Sequence, residues 1–581
     1  MGDRQIIRAS LLFIVVGSIV AGVLYDRLNN IVVSGTSASE EAIVTPSVGD
    51  PARLDGAWFC AMGSSLPGGF ADHFIHISNL SNEAAVANVD ILTGAGPGPT
   101  VRIEMAPLST QTVALSSIAE AEFAGAVVEI IGGTGVVGHT VETEQGSAEG
   151  SCSTHVSNSW HFASGRTTRD SRQYLALMNP FPEDVVYNVE FYRAAGRPRR
   201  PADLQGGVIP ASSVQIIEVD SFVAREEAVA TVVTTVRGRL VVERLQTLDG
   251  VLGPQGAALQ LGVVAPAQSW VLAAGRVHDG GDDKIIVFNP ATEESATVDI
   301  ELWPLNPTDR SLYGLVSIPR ELLPGRFEVI DLGIEADRFG LRLPYELGVS
   351  VRSSNDVPVV AERWHLAVEV DTSLIGAGGS GVASTEEGEG EVTTAEGETD
   401  PVTGTDPVTG TDPAAGTDPG EGGPLETGAD PGEGGPLETG ADEATDPLAG
   451  GELDVPGILG GQVSEFGQAT ASTGIATSRG TEVDSNRWVL PWVPVPTAES
   501  TVVVATSTQD VAVEVMALIN GELQGPFRGS IVAGGRTIIP VPVTTVGAPL
   551  IVSSDGRISV EAQVVDSDGR LTVLPGVPTV Q

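Results

Sequence analysis

Cysteine, aromatic residues and basic residues are all scarce in this chain of 581 residues. The two cysteines, Cys60 and Cys152, do not lie at the spacing of a zinc or redox motif. Lysine and arginine number 31 against 76 acidic residues, and Lys284 is the only lysine. The resulting net charge of −45 repels phosphate backbones and anionic surfaces, which argues against nucleic-acid binding.

The motifs of common catalytic and cofactor sites are also missing. No G-x-S-x-G elbow, H-E-x-x-H helix, P-loop or EF-hand pattern occurs. Residues 133–138 match G-x-G-x-x-G, but a strand pattern follows them where a dinucleotide site needs a helix, so we interpret them as a hairpin turn. The sequence therefore predicts no enzyme activity, metal or cofactor. A hydrolase would require a carboxylate site between domains.

An apolar segment near the N-terminus predicts a membrane anchor. Residues 9–25 are apolar and follow Arg4 and Arg8, so the positive-inside rule places residues 1–8 in the cytoplasm. We expect an uncleaved single-pass transmembrane helix, with a cleaved signal peptide and secretion as the alternative. In either case residues 26–55 form a linker and the remainder of the chain lies outside the cell membrane.

An internal repeat of about a hundred residues organises the remainder. Each copy opens with a tryptophan, and alternating apolar runs flank a polar turn such as Asn179-Pro180 or Asn289-Pro290. Period-two alternation rich in β-branched residues is typical of half-buried strands, and a residue before proline favours extended geometry. We predict four β-domains, at 56–150, 158–262, 268–372 and 487–581.

The fold class expected from this pattern is all-β. Short strands with turn signals every eight to twelve residues favour tandem immunoglobulin-like β-sandwiches. The alternative is a β-propeller-like arrangement in which pairs of blades from the four copies close a ring.

Between the third and fourth copies, residues 373–486 are acidic, low in complexity and rich in glycine, proline and threonine. Such a segment buries too little apolar surface to offset the entropy of ordering it. We expect a long disordered linker that tethers the fourth copy.

At the level of short motifs, the chain resembles a group of uncharacterised actinobacterial envelope proteins of unknown function. The shared motifs are W-x-x-A-x-G, here at Trp160 and Trp270, and the Asn-Pro turns at Asn179 and Asn289. Copies two and three carry the resemblance, whereas copy one departs at Cys60 and copy four lacks the Asn-Pro turn. The resemblance implies one N-terminal span and tandem β-domains, and it implies no activity.

Three sets of residues are candidates for structural or binding roles. In an exported protein, Cys60 and Cys152 predict one disulfide, with two unpaired buried thiols as the alternative. The dipeptides Glu243-Arg244 and Glu362-Arg363 cannot act as catalytic pairs, because adjacent strand residues point to opposite faces. Their recurrence indicates a scaffold role, such as a cross-strand ion pair. The third set is a basic loop that could contact an anionic wall polymer or the acidic linker, or simply be solvated, and it contains Arg193, Arg197, Arg199 and Arg200.

These features together predict a non-enzymatic structural or adhesive protein of the cell envelope. Its partner would be an envelope protein or a wall polymer. The alternative is a glycan-binding accessory to an envelope enzyme, which exposed aromatic residues at a domain edge would favour.

Overall fold

The computed structural model describes residues 55–251, 253–277, 282–304, 316–340, 345–367, 474–481, 484–494, 501–541, 547–565 and 571–579. These residues are almost entirely β, as the sequence predicts, with one α-helix and three short 3-10 turns. The expected anchor, residues 9–25, lies outside these ranges. Within them, no helix is long and apolar enough to cross a membrane.

Repeat 1 contains a 3-10 turn at Leu115–Ser117 and eight strands: β1 Asp55–Cys60, β2 Asp72–Asn79, β3 Ala85–Thr93, β4 Gly96–Met105, β5 Ser109–Ala114, β6 Ala124–Ile131, β7 Gly135–Thr143 and β8 Gly146–Ser151. The strands form two antiparallel sheets in the orders β1-β6-β3-β4 and β5-β2-β7-β8. Ile75 of one sheet and Val89 of the other lie in the same buried core, so the sheets pack face to face.

Repeat 2 contains 3-10 turns at Ala202–Leu204 and Val219–Ser221 and eight strands: β9 Ser159–Phe162, β10 Ser171–Asn179, β11 Val185–Arg193, β12 Gln205–Ile209, β13 Ser213–Glu218, β14 Val229–Arg237, β15 Val241–Asp249 and β16 Gln255–Leu261. Its sheets have the orders β9-β14-β11-β12 and β13-β10-β15-β16. A single parallel pairing between Thr93 and Ser213 links its second sheet to β3 of repeat 1.

Repeat 3 has nine strands and helix α1: β17 Ser269–Leu272, β18 Arg276–Val277, β19 Asp282–Asn289, β20 Ala296–Pro304, β21 Val316–Leu322, β22 Arg326–Asp331, α1 Leu332–Arg338, β23 Tyr345–Ser353, β24 Val360–Ala367 and β25 Gly474–Arg479. Its sheets have the orders β17-β23-β20-β21, with β18 also on β23, and β22-β19-β24-β25. The Asp331 side chain accepts a hydrogen bond from the Ile334 amide and so caps α1.

Repeat 4 contains eight strands: β26 Ser485–Pro494, β27 Thr501–Ser507, β28 Val511–Ile519, β29 Glu522–Ile531, β30 Gly535–Pro540, β31 Gly547–Val565, β32 Leu571–Pro575 and β33 Val577–Pro578. The long strand β31 belongs to both sheets, which have the orders β26-β31-β28-β29 and β30-β27-β31-β32, and β33 pairs with β26. Its core again joins both sheets, through residues such as Val503 and Val513.

Alternation of apolar and polar residues determines which strand faces are buried. Over the first seven residues of β3, β11 and β28 every second side chain is buried and the intervening ones are partly or fully exposed. Because successive strand side chains point to opposite faces, this pattern places one face of each strand in the core between the two sheets.

The four repeats contact one another in a closed cycle. Strand β8 contacts β16, β16 contacts β25, β25 contacts β32, and β32 contacts β8. A hydrogen bond of 3.2 Å from Thr572 Oγ1 to Glu149 Oε2 links repeat 4 to repeat 1. In the propeller-like alternative, the four copies would also close a ring, each as a pair of blades. Here the four copies do contact one another in a cycle, but each is a repeat of two sheets.

The segment that the sequence assigns to the linker, 373–486, differs at its C-terminal end. Strand β25 pairs with β24 and completes a sheet of repeat 3, with Gly474 opposite Ala367. The residues between Ala367 and Gly474 therefore connect neighbouring strands, where repeat 1 has only the turn Glu144-Gln145. Only residues 480–484 then separate β25 from β26. The expectation that repeat 4 hangs on a long tether is wrong, because composition does not reveal that two distant chain positions pair in one ladder.

Candidate functional site

The tryptophan that opens each repeat is a core residue. Trp160, Trp270 and Trp488 are at most 1 % exposed, and each indole N–H donates to a backbone carbonyl of its own repeat at 2.8–2.9 Å. A buried indole with its N–H satisfied cannot stack on a sugar. Trp160 and Trp270 instead anchor the start of their W-x-x-A-x-G segments in the core.

The junction of repeats 2 and 3 contains a fully buried ion pair. Glu362 of repeat 3 accepts hydrogen bonds from the amides of Ala163 (3.0 Å) and Ser164 (2.9 Å), both in the W-x-x-A-x-G segment of repeat 2. The Arg244 guanidinium of repeat 2 lies 3.1 Å from the same carboxylate and also donates to the Ser164 carbonyl. Because buried charges are costly unless paired and hydrogen-bonded, this arrangement specifies one relative placement of the two repeats.

The junction of repeats 1 and 2 repeats this design with histidine in place of arginine. Glu243 accepts from the amides of Ala61 (2.9 Å) and Met62 (2.7 Å), and its other oxygen lies 3.5 Å from His139 Nε2. His73 donates through Nδ1 to a backbone carbonyl, so its Nε2 accepts from His139 Nδ1 at 2.9 Å. Burial raises the pKa of Glu243 to about 8 and lowers the pKa of His73 to about 4, which favours uncharged partners here.

At the junction of repeats 3 and 4, Glu561 takes the same role. It accepts from the Ala274 amide at 2.5 Å and from the Ser478 hydroxyl, and burial raises its pKa. Arg363, the counterpart of Arg244, pairs with Asp283 of its own repeat and donates to the Ala274 carbonyl at 2.9 Å. Glu243, Arg244 and Glu362 therefore make contacts across junctions, and Arg363 holds the Ala274 segment whose amide binds Glu561, which supports the predicted scaffold role. The ion pair at repeats 2 and 3 joins two repeats rather than two strands of one.

The junction of repeats 4 and 1 lacks the glutamate and one of the two amide donors of this arrangement. Gly138 occupies the position of the glutamate, and it lies against Pro491 and Trp492, which stand where the other repeats provide amide donors. Proline has no N–H, so the acceptor and a donor are lost together. The Trp492 ring instead stacks on His76, with centroids 3.9 Å apart.

His76 gives this junction a pH dependence. Its ring nitrogens contact the hydroxyls of Thr112 (3.0 Å) and Thr140 (2.8 Å), and burial, followed by the nearby His73, lowers its pKa to about 3. In the unfolded chain His76 binds a proton near pH 6.5, whereas the folded protein keeps its ring neutral to a much lower pH. The stability that the neutral His76 ring contributes is therefore lost as the pH falls below about 6.5. Between pH 7 and 5 we expect wild type to lose about 2 kcal/mol more than His76→Gln. Denaturant unfolding at both pH values measures this, and parallel losses would contradict it.

Sequence reasoning missed the role of the asparagine in each Asn-Pro turn. Asn179 is fully buried and its Nδ2 donates to the carbonyls of Glu183 (2.7 Å) and Pro210 (2.9 Å). Asn289 and Asn79 make equivalent bonds within their repeats. The asparagine therefore joins two loops at one end of each sandwich, in addition to setting the turn. Its recurrence at the same strand end was the signal for this role.

The predicted cysteine pair and the predicted basic loop lie in different repeats. Cys60 and Cys152 form a disulfide that links the end of β1 to the residue after β8. Cys152 is therefore not a metal ligand, and the described residues include no cluster of three or more His, Cys, Asp or Glu that could hold a metal ion.

The basic loop is partly neutralised by acidic neighbours. Arg200 makes two hydrogen bonds to Glu190, at 2.7 and 3.0 Å, and Arg193 lies 3.5 Å from Glu226. The Arg197 and Arg199 side chains are exposed, and the Arg199 backbone pairs with Phe191. Two of the four predicted cations therefore remain directed at solvent.

A cleft of about 390 Å³ opens where repeat 1 meets repeat 2. Four half-buried aromatic residues line it: Phe70, Phe123, Tyr174 and Phe222. The Phe70 ring is tilted on Tyr174, with centroids 5.3 Å apart, and meets Phe123 edge-on at 6.0 Å. Glu122 and Glu218 are exposed at its walls. No sequence pattern indicates this cleft, because its rings come from distant segments of two repeats.

Among curated proteins, none matches the chain. A solved structure described as Thermotoga maritima 1070 is similar at 14% identity and a TM-score of 0.17, over 19% of this chain and 95% of that one. A Streptomyces avermitilis alpha-L-rhamnosidase complexed with L-rhamnose is similar at 11% identity and a TM-score of 0.12, over 55% and 46%. Residues 139–377, which include Glu243 and the whole junction formed by Glu362, match a family of unknown function (DUF5719), and this confirms the predicted similarity to an uncharacterised family.

Proposed function

We propose that this protein is a non-enzymatic structural or adhesive component of the cell envelope. It displays a closed ring of four immunoglobulin-like β-repeats outside the membrane, to which the N-terminal apolar segment anchors it. The observation that carries the proposal is the use of a buried glutamate at each of three junctions. These glutamates join repeats instead of facing a cavity.

The carboxylates that bind backbone amides in the three junctions do not supply the site between domains that the hydrolase alternative required. Unlike Glu122 and Glu218 on the walls of the cleft, Glu243, Glu362 and Glu561 are each at most 2 % exposed. Each accepts hydrogen bonds from one or two backbone amides of the neighbouring repeat. A catalytic acid or base must reach the proton that it transfers, and these carboxylates are out of reach of a substrate.

The disulfide supports an address outside the cytoplasm. Cys60 and Cys152 are bonded, and disulfides persist mainly in oxidising compartments. Together with the basic residues that precede the apolar segment 9–25, this favours a membrane-anchored protein whose repeats face outward, with secretion after cleavage as the alternative.

The second candidate function is glycan binding as an accessory to an envelope enzyme. The aromatic cleft between repeats 1 and 2 is the observation that favours it, because sugar faces stack on aromatic rings. At about 390 Å³ it lies within the range of small-molecule sites, and it combines apolar rings with a few polar groups, as such sites do.

A pull-down with isolated wall material separates the two candidates. The soluble chain from residue 50 onward should be used whole, since repeat 4 completes the ring. The structural proposal predicts retention through protein partners, detected by cross-linking, that free sugars do not compete away. Saturable binding that free sugars abolish would replace it with the glycan-binding function.

A further inference from the structure

The walls of the aromatic cleft combine negative charge with neutral hydrogen-bonding groups. Glu122 stands on the repeat 1 side and Glu218 on the repeat 2 side. The Gln215 amide and the Ser221 hydroxyl also line the cleft. A ligand that fits these groups carries a positive charge and several hydroxyls as well as an apolar face.

Tyr174, which lines the cleft, also has acidic neighbours. Burial raises the pKa of the Tyr174 phenol, and the charges of Glu218 and Asp220 raise it further. Arg172, which opposes this effect, lies 3.5 Å from Asp220 and is partly neutralised by it. An ammonium group placed over the rings would gain from both the carboxylates and the ring faces.

We propose that this cleft binds an amino sugar with a free amine, its pyranose face stacked on Phe70 and Tyr174 and its ammonium group between Glu122 and Glu218. The proposal rests on the second candidate function and narrows it to a cationic saccharide. A saccharide fits better than a basic peptide because the amide and hydroxyl groups on the walls match the ring hydroxyls that a sugar carries.

The test is a calorimetric titration of the soluble chain with a fully deacetylated glucosamine tetramer and with its N-acetylated counterpart. We expect the deacetylated tetramer to bind at least tenfold more tightly. The double variant Glu122→Gln, Glu218→Gln should lose that preference and retain its melting temperature, because both side chains are exposed. Phe70→Ala should weaken both sugars, while Glu104→Gln, an exposed carboxylate outside the cleft, should change neither.

Each contrary result has a distinct meaning. Equal binding of the two tetramers would overturn the cationic assignment and leave glycan binding standing. Binding that survives in both cleft variants would place the sugar elsewhere. Equally tight binding of spermidine, which has amines but no sugar ring, would show simple charge attraction and overturn the saccharide assignment. No binding of either tetramer would overturn the site, and the pull-down would then judge glycan binding independently.

Discussion

Replacing Glu362 by alanine is expected to lower the free energy of unfolding by about 3–5 kcal/mol. The change leaves the Arg244 guanidinium buried without its carboxylate, 3.1 Å away in the native junction. It also removes the acceptor of the Ala163 and Ser164 amides, and each orphaned buried donor adds to the cost. Denaturant unfolding with two optical probes measures the loss.

The matched control is an ion pair of the same kind on the surface. Arg102 and Glu104 lie 3.1 Å apart, with side chains 61% and 76% exposed. Glu104→Ala should cost at most about 1 kcal/mol, since solvent screens exposed pairs. The double variant Glu362→Leu, Arg244→Met should recover much of the loss, because removing both buried charges avoids leaving one unpaired. Equal losses for Glu362→Ala and Glu104→Ala would refute the junction as a determinant of stability.

Shortening the connection between β24 and β25 is expected to stabilise the protein. Replacing residues 368–473 by the sequence of 250–254, which joins the equivalent strands of repeat 2, should raise the free energy of unfolding by about 2–3 kcal/mol. The gain arises because Ala367 and Gly474 are paired neighbours in the native sheet. A shorter loop between them loses less entropy when it closes. The replacement also removes many acidic residues that repel one another, which should raise the free energy of unfolding further.

A second variant separates loop length from charge. Replacing 368–473 with an uncharged Gly-Ser chain of equal length removes the charges and keeps the loop length. The gain in the free energy of unfolding for this variant measures the effect of charge repulsion alone, and it should be smaller than the gain for the short loop. If repeat 4 were tethered as composition alone indicates, the short loop would pull it from its place and abolish cooperative unfolding. A separate early transition of repeat 4 would therefore disprove the β24–β25 pairing.

The short-range features of this fold could be read from the sequence. Alternation predicted the strands, and the recurring tryptophans predicted four related copies, because burial on one face of a strand leaves a period of two. The recurrence of the Glu-Arg dipeptide also indicated a scaffold role. Repeat 1 has Gly138 where the other repeats have a glutamate, and repeat 4 has Pro491 where they have an alanine. These two differences indicate how the copies connect, but only once the two positions are known to meet.

The sequence by itself determined that the chain folds into β-strands, that it contains four related copies and that it is strongly acidic. These features depend only on local propensity and residue counts. Only the tertiary structure decided that β25 returns to repeat 3, that each glutamate binds the preceding repeat, and that aromatic rings of two repeats form a cleft. These features join residues far apart in the chain, such as Ala163 and Glu362, so they depend on how whole repeats pack. Local sequence patterns contain no record of that packing.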